Sequence, residues 1–308
     1  MQSAKEKFRA IRAQLRLPIM VAPMFLVSGY ELVAAACQSG VLASFPTPNA
    51  RTIEELESWM QQLAAQQKAA PWVLSTITHS TYARLGEEIT LIRRYQPAIV
   101  ITALGSPKPV LEAVHSYGGL VFADVNSIAF AKKAAEAGAD GLILVCAGAG
   151  GHTGMLSPFA FIEEVRSFWD GPIILAGSIS TARAIRAAEV LGADLAYMGT
   201  RFIATDESRA VPAYKTMLTH THAQDIIATA ALTGVTGHFI RESLLQAGIT
   251  PDMWESKAKV DFSAMQADKA TKAWKDIWSA GQGVGSIQKV TSVKNLIDQL
   301  VNDYRSLI

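Results

Sequence analysis

Cysteine is almost missing from this chain: Cys37 and Cys146 are the only two in 308 residues. Two are too few for a disulfide framework and point to a reducing compartment. An excess of either charge is missing as well, since 28 basic residues face 27 acidic ones for a net charge of +1. Without a basic block there is no electrostatic footprint of a nucleic-acid or membrane-surface binder. No apolar run approaches the roughly 20 residues of a membrane-spanning helix. The N-terminal stretch MQSAKEKFRAIRAQLRLP carries charges where a signal peptide would be apolar. The expectation is a soluble, cytoplasmic protein with small-molecule partners, no nucleic acid and no membrane, its oligomeric state left open. Charged residues make up only 18% and hydrophobic ones 50%, which excludes intrinsic disorder and suffices for one large core.

What is present is a steady beat. Eight short apolar runs rich in Val, Ile and Leu occupy residues 17–22, 41–45, 72–77, 98–102, 120–123, 141–145, 173–176 and 195–198. They lack polar alternation, as strands of a parallel sheet covered on both faces should. Helical patterns lie between them. Residues 52–67 open with Thr52-x-x-Glu55, a capping-box pattern, and repeat Ile53, Leu56, Met60 and Leu63 on one face. Residues 181–191 place Arg183, Arg186 and Glu189 opposite Ala184, Ile185, Ala188 and Leu191. Ala137-Gly138-Ala139-Asp140 is echoed 54 positions later by Leu191-Gly192-Ala193-Asp194, the spacing of two βα units. Eight such units by residue 200 favour a (β/α)₈ TIM barrel over an open doubly wound sheet. From residue 206 to 279 the beat is lost. That stretch, with Trp254, Trp274 and Trp278, reads as a mostly helical insertion covering the barrel mouth. Residues 1–205 and 280–308 form the barrel with an amphipathic closing helix over about 291–307.

In such a barrel the chemistry sits on the loops that follow the strands. After the sixth run comes Cys146-Ala147-Gly148-Ala149-Gly150-Gly151-His152-Thr153-Gly154, four glycines around a histidine. Such a loop lets backbone approach a ligand closely and exposes N–H donors. Its spacing is not a dinucleotide fingerprint, because Thr153 stands where the third glycine belongs. The seventh run ends in Gly177-Ser178 and the eighth in Met198-Gly199-Thr200-Arg201-Phe202. Both are Gly-hydroxyl turns suited to an anion, at the usual phosphate position of this architecture. The first run ends in Ala22-Pro23-Met24, and a thioether there suits either packing or an aromatic cofactor. His79, His115 and His238 have no partner spacing. His220-x-His222 falls in the insertion, and no metal is expected. Zincin, Walker A and nucleophile-elbow motifs are absent.

Together, Ala22-Pro23-Met24, Ala149-Gly150-Gly151-His152-x-Gly154, Gly177-Ser178 and Met198-Gly199-Thr200-Arg201-Phe202 resemble the nitronate monooxygenase family. The resemblance covers about residues 17–208 and resumes at Trp278-Ser279-Ala280-Gly281-Gln282. It implies a barrel holding FMN without a covalent bond. The phosphate would lie on Gly177, Ser178, Gly199 and Thr200. The ring would lie near Ala22, Pro23, Met24, Gly150 and Gly151, with Ser75, Asp124, Met198 and Gln282 also at the cofactor. His152 matches the family's catalytic base. Four positions depart from the family: Ser75 stands where many members carry Asn, and Val145 where many carry Gln. Ser178 replaces a common second glycine, and Asp124 a residue that is basic in some relatives.

The activity so implied is FMN-dependent oxidation of alkyl nitronates by O₂ to a carbonyl compound and nitrite. His152 would hydrogen-bond the nitronate or take the α-proton of a neutral nitroalkane. An unperturbed imidazole suits that task, so a rate rising with pH through the histidine range is expected. An alternative is an NAD(P)H-dependent FMN reductase of an enoyl thioester or quinone. One of another class is a non-catalytic binder of a phosphate ligand.

Overall fold

The computed structural model describes residues 2–66, 68–256 and 275–307. The strands in chain order are β1 (Ile19–Val21), β2 (Leu42–Pro46), β3 (Trp72–Ile77), β4 (Ile99–Ala103), β5 (Leu120–Val125), β6 (Gly141–Val145), β7 (Gly151–His152), β8 (Ile173–Ala176), β9 (Leu195–Met198), β10 (Ile226–Thr229) and β11 (Gly237–Ile240). β1 to β6, β8 and β9 form a closed parallel barrel, the (β/α)₈ architecture that the eight runs predict. It closes where Met20 and Val21 on β1 pair with Tyr197 and Met198 on β9.

Alternate residues of each strand face two different cores, which is why the runs show no polar alternation. On β1, Met20 joins the cluster inside the barrel, whereas Ile19 and Val21 join the layer beneath the helices. Inside, Phe122 from β5 meets Phe8 with ring centroids 5.0 Å apart. Gly141 on β6 makes room for them: a Cβ there would sit 2.4 Å from the Phe122 ring. Phe8 arrives on a helix, Ala4–Ala13, that plugs the N-terminal end of the barrel. Its capping box is complete, with Ser3 and Glu6 each bonding the other's backbone.

The box expected at Thr52 is only half made. Thr52 Oγ1 accepts from Glu55 N at 3.1 Å, but the Glu55 carboxylate accepts from Arg51 N instead of from Thr52 N. The helix still starts at Ile53 and buries Leu56, Met60 and Leu63. The closing helix, Val293–Arg305, is capped by Ser292 and buries Val293, Leu296, Ile297, Leu300 and Val301 on one stripe. Among the described residues no helix is long and apolar enough to cross a membrane.

One element departs from the sequence reading. The stretch 206–279 holds the helices Pro212–Leu218 and Arg241–Gln246, but also strands β10 and β11. With β7 these make a three-stranded sheet, β11 being antiparallel to both neighbours. Four-residue strands are too short to show a period, and the third strand is borrowed from the glycine loop after β6. Trp274 lies outside the described residues.

Candidate active site

A cavity of about 840 Å³ opens at the C-terminal end of the barrel. β1 contributes Ala22, Pro23 and Met24 at its exit. Ser75 comes from β3 and Asp124 from β5. The glycine loop supplies Gly150, Gly151 and His152, and the last two barrel strands end in Gly177, Ser178, Gly199 and Thr200. All twelve of these sequence-picked residues line one space. Met198 and Gln282 do not line it. Met198 is fully buried in the layer beneath the helices, with its carbonyl accepting from Ala22 N at 3.0 Å. Gln282 ties the loop from outside, its N–H donating to Gly148 O at 2.9 Å.

The two Gly-hydroxyl turns are neighbours because β8 and β9 pair in parallel, Ala176 opposite Tyr197. Gly177 has φ +133° and Ser178 φ +56°. Glycine reaches the first freely, whereas serine at the second is strained, a cost tolerated more often at binding sites than elsewhere. A segment far along the chain closes this corner. Gly281 N donates to Thr200 Oγ1 at 2.8 Å. Gly150 and Gly281 pack backbone to backbone, so that a Cβ on Gly150 would lie 2.8 Å from Gly281 N.

His152 is half-buried on the cavity wall and held by a sheet: it sits on β7, opposite Gly237 of β11. Its Nε2 lies 3.3 Å from Thr233 Oγ1, whose own hydroxyl donates to Val235 O at 2.9 Å. Burial pushes the imidazole down to about 4, because the enclosed walls disfavour the charged form. This corrects the expected titration near neutrality. The shift favours the neutral ring near neutral pH.

The sequence reading missed the groups that fix this loop. His238 is 5% exposed, and its Nδ1 lies 2.6 Å from Ala149 O. A carbonyl can only accept, so Nδ1 carries the proton. Gly151 N donates to Ser279 Oγ at 2.8 Å, and that hydroxyl donates to His238 O at 2.5 Å. The Tyr214 hydroxyl donates to Ser279 O, and its ring stacks on Trp278 at 5.1 Å. No local pattern links positions 149, 214, 238 and 279; only their meeting does. Both cysteines are buried thiols, each raised by burial to about 12. Among the described residues no group of three or more His, Cys, Asp or Glu could hold a metal ion.

The residues present fit a flavin mononucleotide. Small side chains and bare backbone at the two turns leave room for a terminal phosphate. Ala22, Ala103 and Ala176 put only small side chains on the cavity wall. Asp124 Oδ1 is shut off from solvent with no hydrogen-bond partner in the protein, as a contact to a polar ligand would require.

The chain is 26% identical over 220 residues to a protein of Mycobacterium tuberculosis named as a monooxygenase, covering 67% of this chain and 59% of that one. A hydroxy-methyl-oxo-octahydro-indene-carboxyl-CoA dehydrogenase of the same organism is 25% identical, over 74% of this chain and 64% of that one. The chain thus spans about three fifths of the length of these two relatives. The nitronate monooxygenase of Paraburkholderia phytofirmans is 24% identical, with 76% of each chain covered. Among solved structures, FabK from Thermotoga maritima superimposes with a TM-score of 0.81 at 24% identity, covering 96% of this chain and 95% of that one. The nitroalkane oxidase of Streptomyces ansochromogenes gives 0.80 at 21%, covering 96% and 98%. A family profile described as nitronate monooxygenase matches residues 9–303. With these motifs gathered at one barrel mouth, the chain belongs to the nitronate monooxygenase family.

Proposed function

We propose that this protein binds FMN and oxidises alkyl nitronates, and neutral nitroalkanes after removal of their α-proton, with O₂ as oxidant. The observation that carries this reading is the pairing of the two Gly-hydroxyl turns with a histidine held over the same cavity. FMN, when bound, supplies the redox chemistry. The protein's own residues do the rest. Gly177, Gly199 and Thr200 hold the phosphate through backbone N–H groups, and Ser178 and Thr200 through hydroxyls, the Ser178 N–H being donated to Gly148 O. Ala22, Pro23, Met24 and Gly150 shape the ring's seat. His152 takes the α-proton of a neutral nitroalkane or donates a hydrogen bond to a nitronate oxygen. Its neutral state favours the first task at every pH above about 5, because an unprotonated imidazole is the base. The Thr233 contact favours the proton on Nε2, which makes Nδ1 the basic nitrogen.

The test is one spectrum and one trace. Purified protein should show flavin absorption with about one FMN per chain and consume oxygen on addition of a preformed nitronate. A colourless protein that regains no colour with FMN overturns the cofactor assignment. A yellow protein inert to nitronates overturns the substrate.

A second reading is favoured by the sequence relation to a CoA-thioester dehydrogenase. In it the flavin is reduced by NAD(P)H, and an enoyl thioester or quinone is the acceptor. The far rim of the cavity, where Phe130 and Lys133 lie, gives room for a longer substrate. Anaerobic bleaching of the flavin by NAD(P)H within seconds would favour this reading over the first.

A further inference from the structure

Asp124 is a half-buried acid with one oxygen shut off from solvent, expected at the cofactor but given no task by either reading. On β5, Leu120 and Phe122 point into the barrel and Val121 and Ala123 point out. By the same alternation Asp124 is the last inward residue of the strand, and it forms part of the cavity floor. Its strand neighbours offer it nothing: β4 reads IVITA and β6 GLILV, without a charge. Ser44 on β2 has its hydroxyl on Val21 O. Ser75 on β3 is neutral. Across the barrel stands Tyr197 of β9, whose ionisation burial and Asp124 both oppose. His152 and Lys133 line the same cavity, with the Lys133 ammonium over the Phe130 ring at 5.9 Å. No ion pair joins Asp124 to a described residue, and Oδ1 has no partner.

An ionised carboxylate with one oxygen shut off from solvent and given neither cation nor donor by the protein is costly. A neutral acid is far cheaper, but it carries an O–H that calls for an acceptor. The cavity that Asp124 lines can supply one, since no described residue bonds Oδ1. We propose that Asp124 is held as a neutral acid that donates its O–H to an acceptor atom of the flavin ring, and that loss of this proton weakens flavin binding. The proposal rests on the FMN reading above.

Burial alone raises this carboxyl to about 7, so the donor is present below neutrality and lost as pH rises through that value. An acceptor on the ligand shifts the loss to higher pH, since it stabilises the protonated form. A carboxylic acid kept neutral at pH 7 to donate a hydrogen bond has precedent in enzyme sites.

The experiment titrates the full chain, freed of flavin, with riboflavin and with FMN, followed by flavin fluorescence at pH 6 and pH 8.5. Riboflavin has no phosphate, so no ligand phosphate titrates in that arm. Wild type should bind riboflavin roughly tenfold more weakly at pH 8.5 than at pH 6, the scale of one buried hydrogen bond. Asp124→Asn keeps a donor and cannot ionise; it should bind with the pH 6 affinity at both values. Asp124→Ala should bind weakly at both. Equal pH dependence in wild type and Asp124→Asn overturns the proposal, as does tighter wild-type binding at pH 8.5. If wild type binds no flavin at any pH, the FMN reading itself fails, and unfolding of the flavin-free chain isolates the proton. A carboxyl raised from its ordinary value binds more protons folded than unfolded, so stability falls from about pH 4 to 7. Wild type should show that fall and Asp124→Asn should lack it; matching curves show that Asp124 is not a retained acid.

Discussion

At one end of the barrel, Phe8 from the first helix is pressed against Phe122, and Gly141 gives way to both rings. At the other end the same strands terminate in Ser75, Asp124, Gly177 and Gly199, around a cavity of about 840 Å³. A single strand makes the contrast sharp. β5 passes from Leu120 and Phe122 in the plug to Asp124 at the cavity floor, one residue pair further on. The plugged end gains its stability from dry packing. The open end tolerates a strained Ser178 and an unsatisfied carboxyl, the price of keeping a ligand site ready. The barrel thus separates what holds it together from what it does, and substitutions at the two ends should fail in different ways.

The widest separation should come from Phe122→Ala and His152→Asn. Phe122 is completely buried, and removing its ring should cost about 3–5 kcal/mol. Denaturant unfolding reads that loss, while flavin stoichiometry in the remaining folded protein should not change. His152→Asn should do the reverse. Stability and bound flavin should hold, while the rate on a neutral nitroalkane falls by roughly 10²- to 10⁴-fold, the usual worth of a general base. Oxidation of a preformed nitronate, which has no proton to lose, should fall much less. Equal losses on both substrates would make His152 an orienting group.

A step smaller is Gly199. A methyl there would meet Met24 Sδ at 3.4 Å and Ala22 Cβ at 3.6 Å, both ordinary contacts. Gly199→Ala should therefore keep its flavin, whereas the branched side chain of Gly199→Leu must enter the cavity and should expel it. Absorbance of the purified variants decides, and colour in both would move the phosphate elsewhere. A gentler probe is pH. With the His152 imidazole lowered to about 4, the neutral-nitroalkane rate should stay level from about pH 5 to 8 where proton removal limits it, and drop only in more acid solution. A sigmoid centred near 6.5 would show that the imidazole is solvated in the working enzyme. The smallest effect is expected of Ser178→Gly. Relief of the left-handed backbone and loss of a hydroxyl oppose each other, so stability should shift by no more than about 1 kcal/mol.

The barrel was legible because its strands are buried on both faces. Eight apolar runs marked all eight strands, and their ends agree with the structure to within two residues. The glycine turns were legible because each is a local device, complete in a few consecutive residues. The plugging helix offered a signal that was passed over, Ser3-x-x-Glu6 followed by Phe8, Ile11 and Leu15. The small sheet offered almost none, since β7, β10 and β11 are two to four residues each.

Sequence by itself therefore determined the architecture and the family and marked the loops that meet at the barrel mouth, all of which rest on periodicity and on short contiguous motifs. Only the tertiary structure decided the state of the groups at the site. His152 carries an ordinary imidazole in sequence, and its neutrality comes from walls built by other elements. Asp124 is one carboxylate among many until the barrel closes and leaves Oδ1 shut off from solvent with no partner in the protein. His238, Ser279 and Tyr214 fix the glycine loop after β6 from positions far along the chain. Protonation and orientation depend on what surrounds a group in space, and that is set only when the chain has folded.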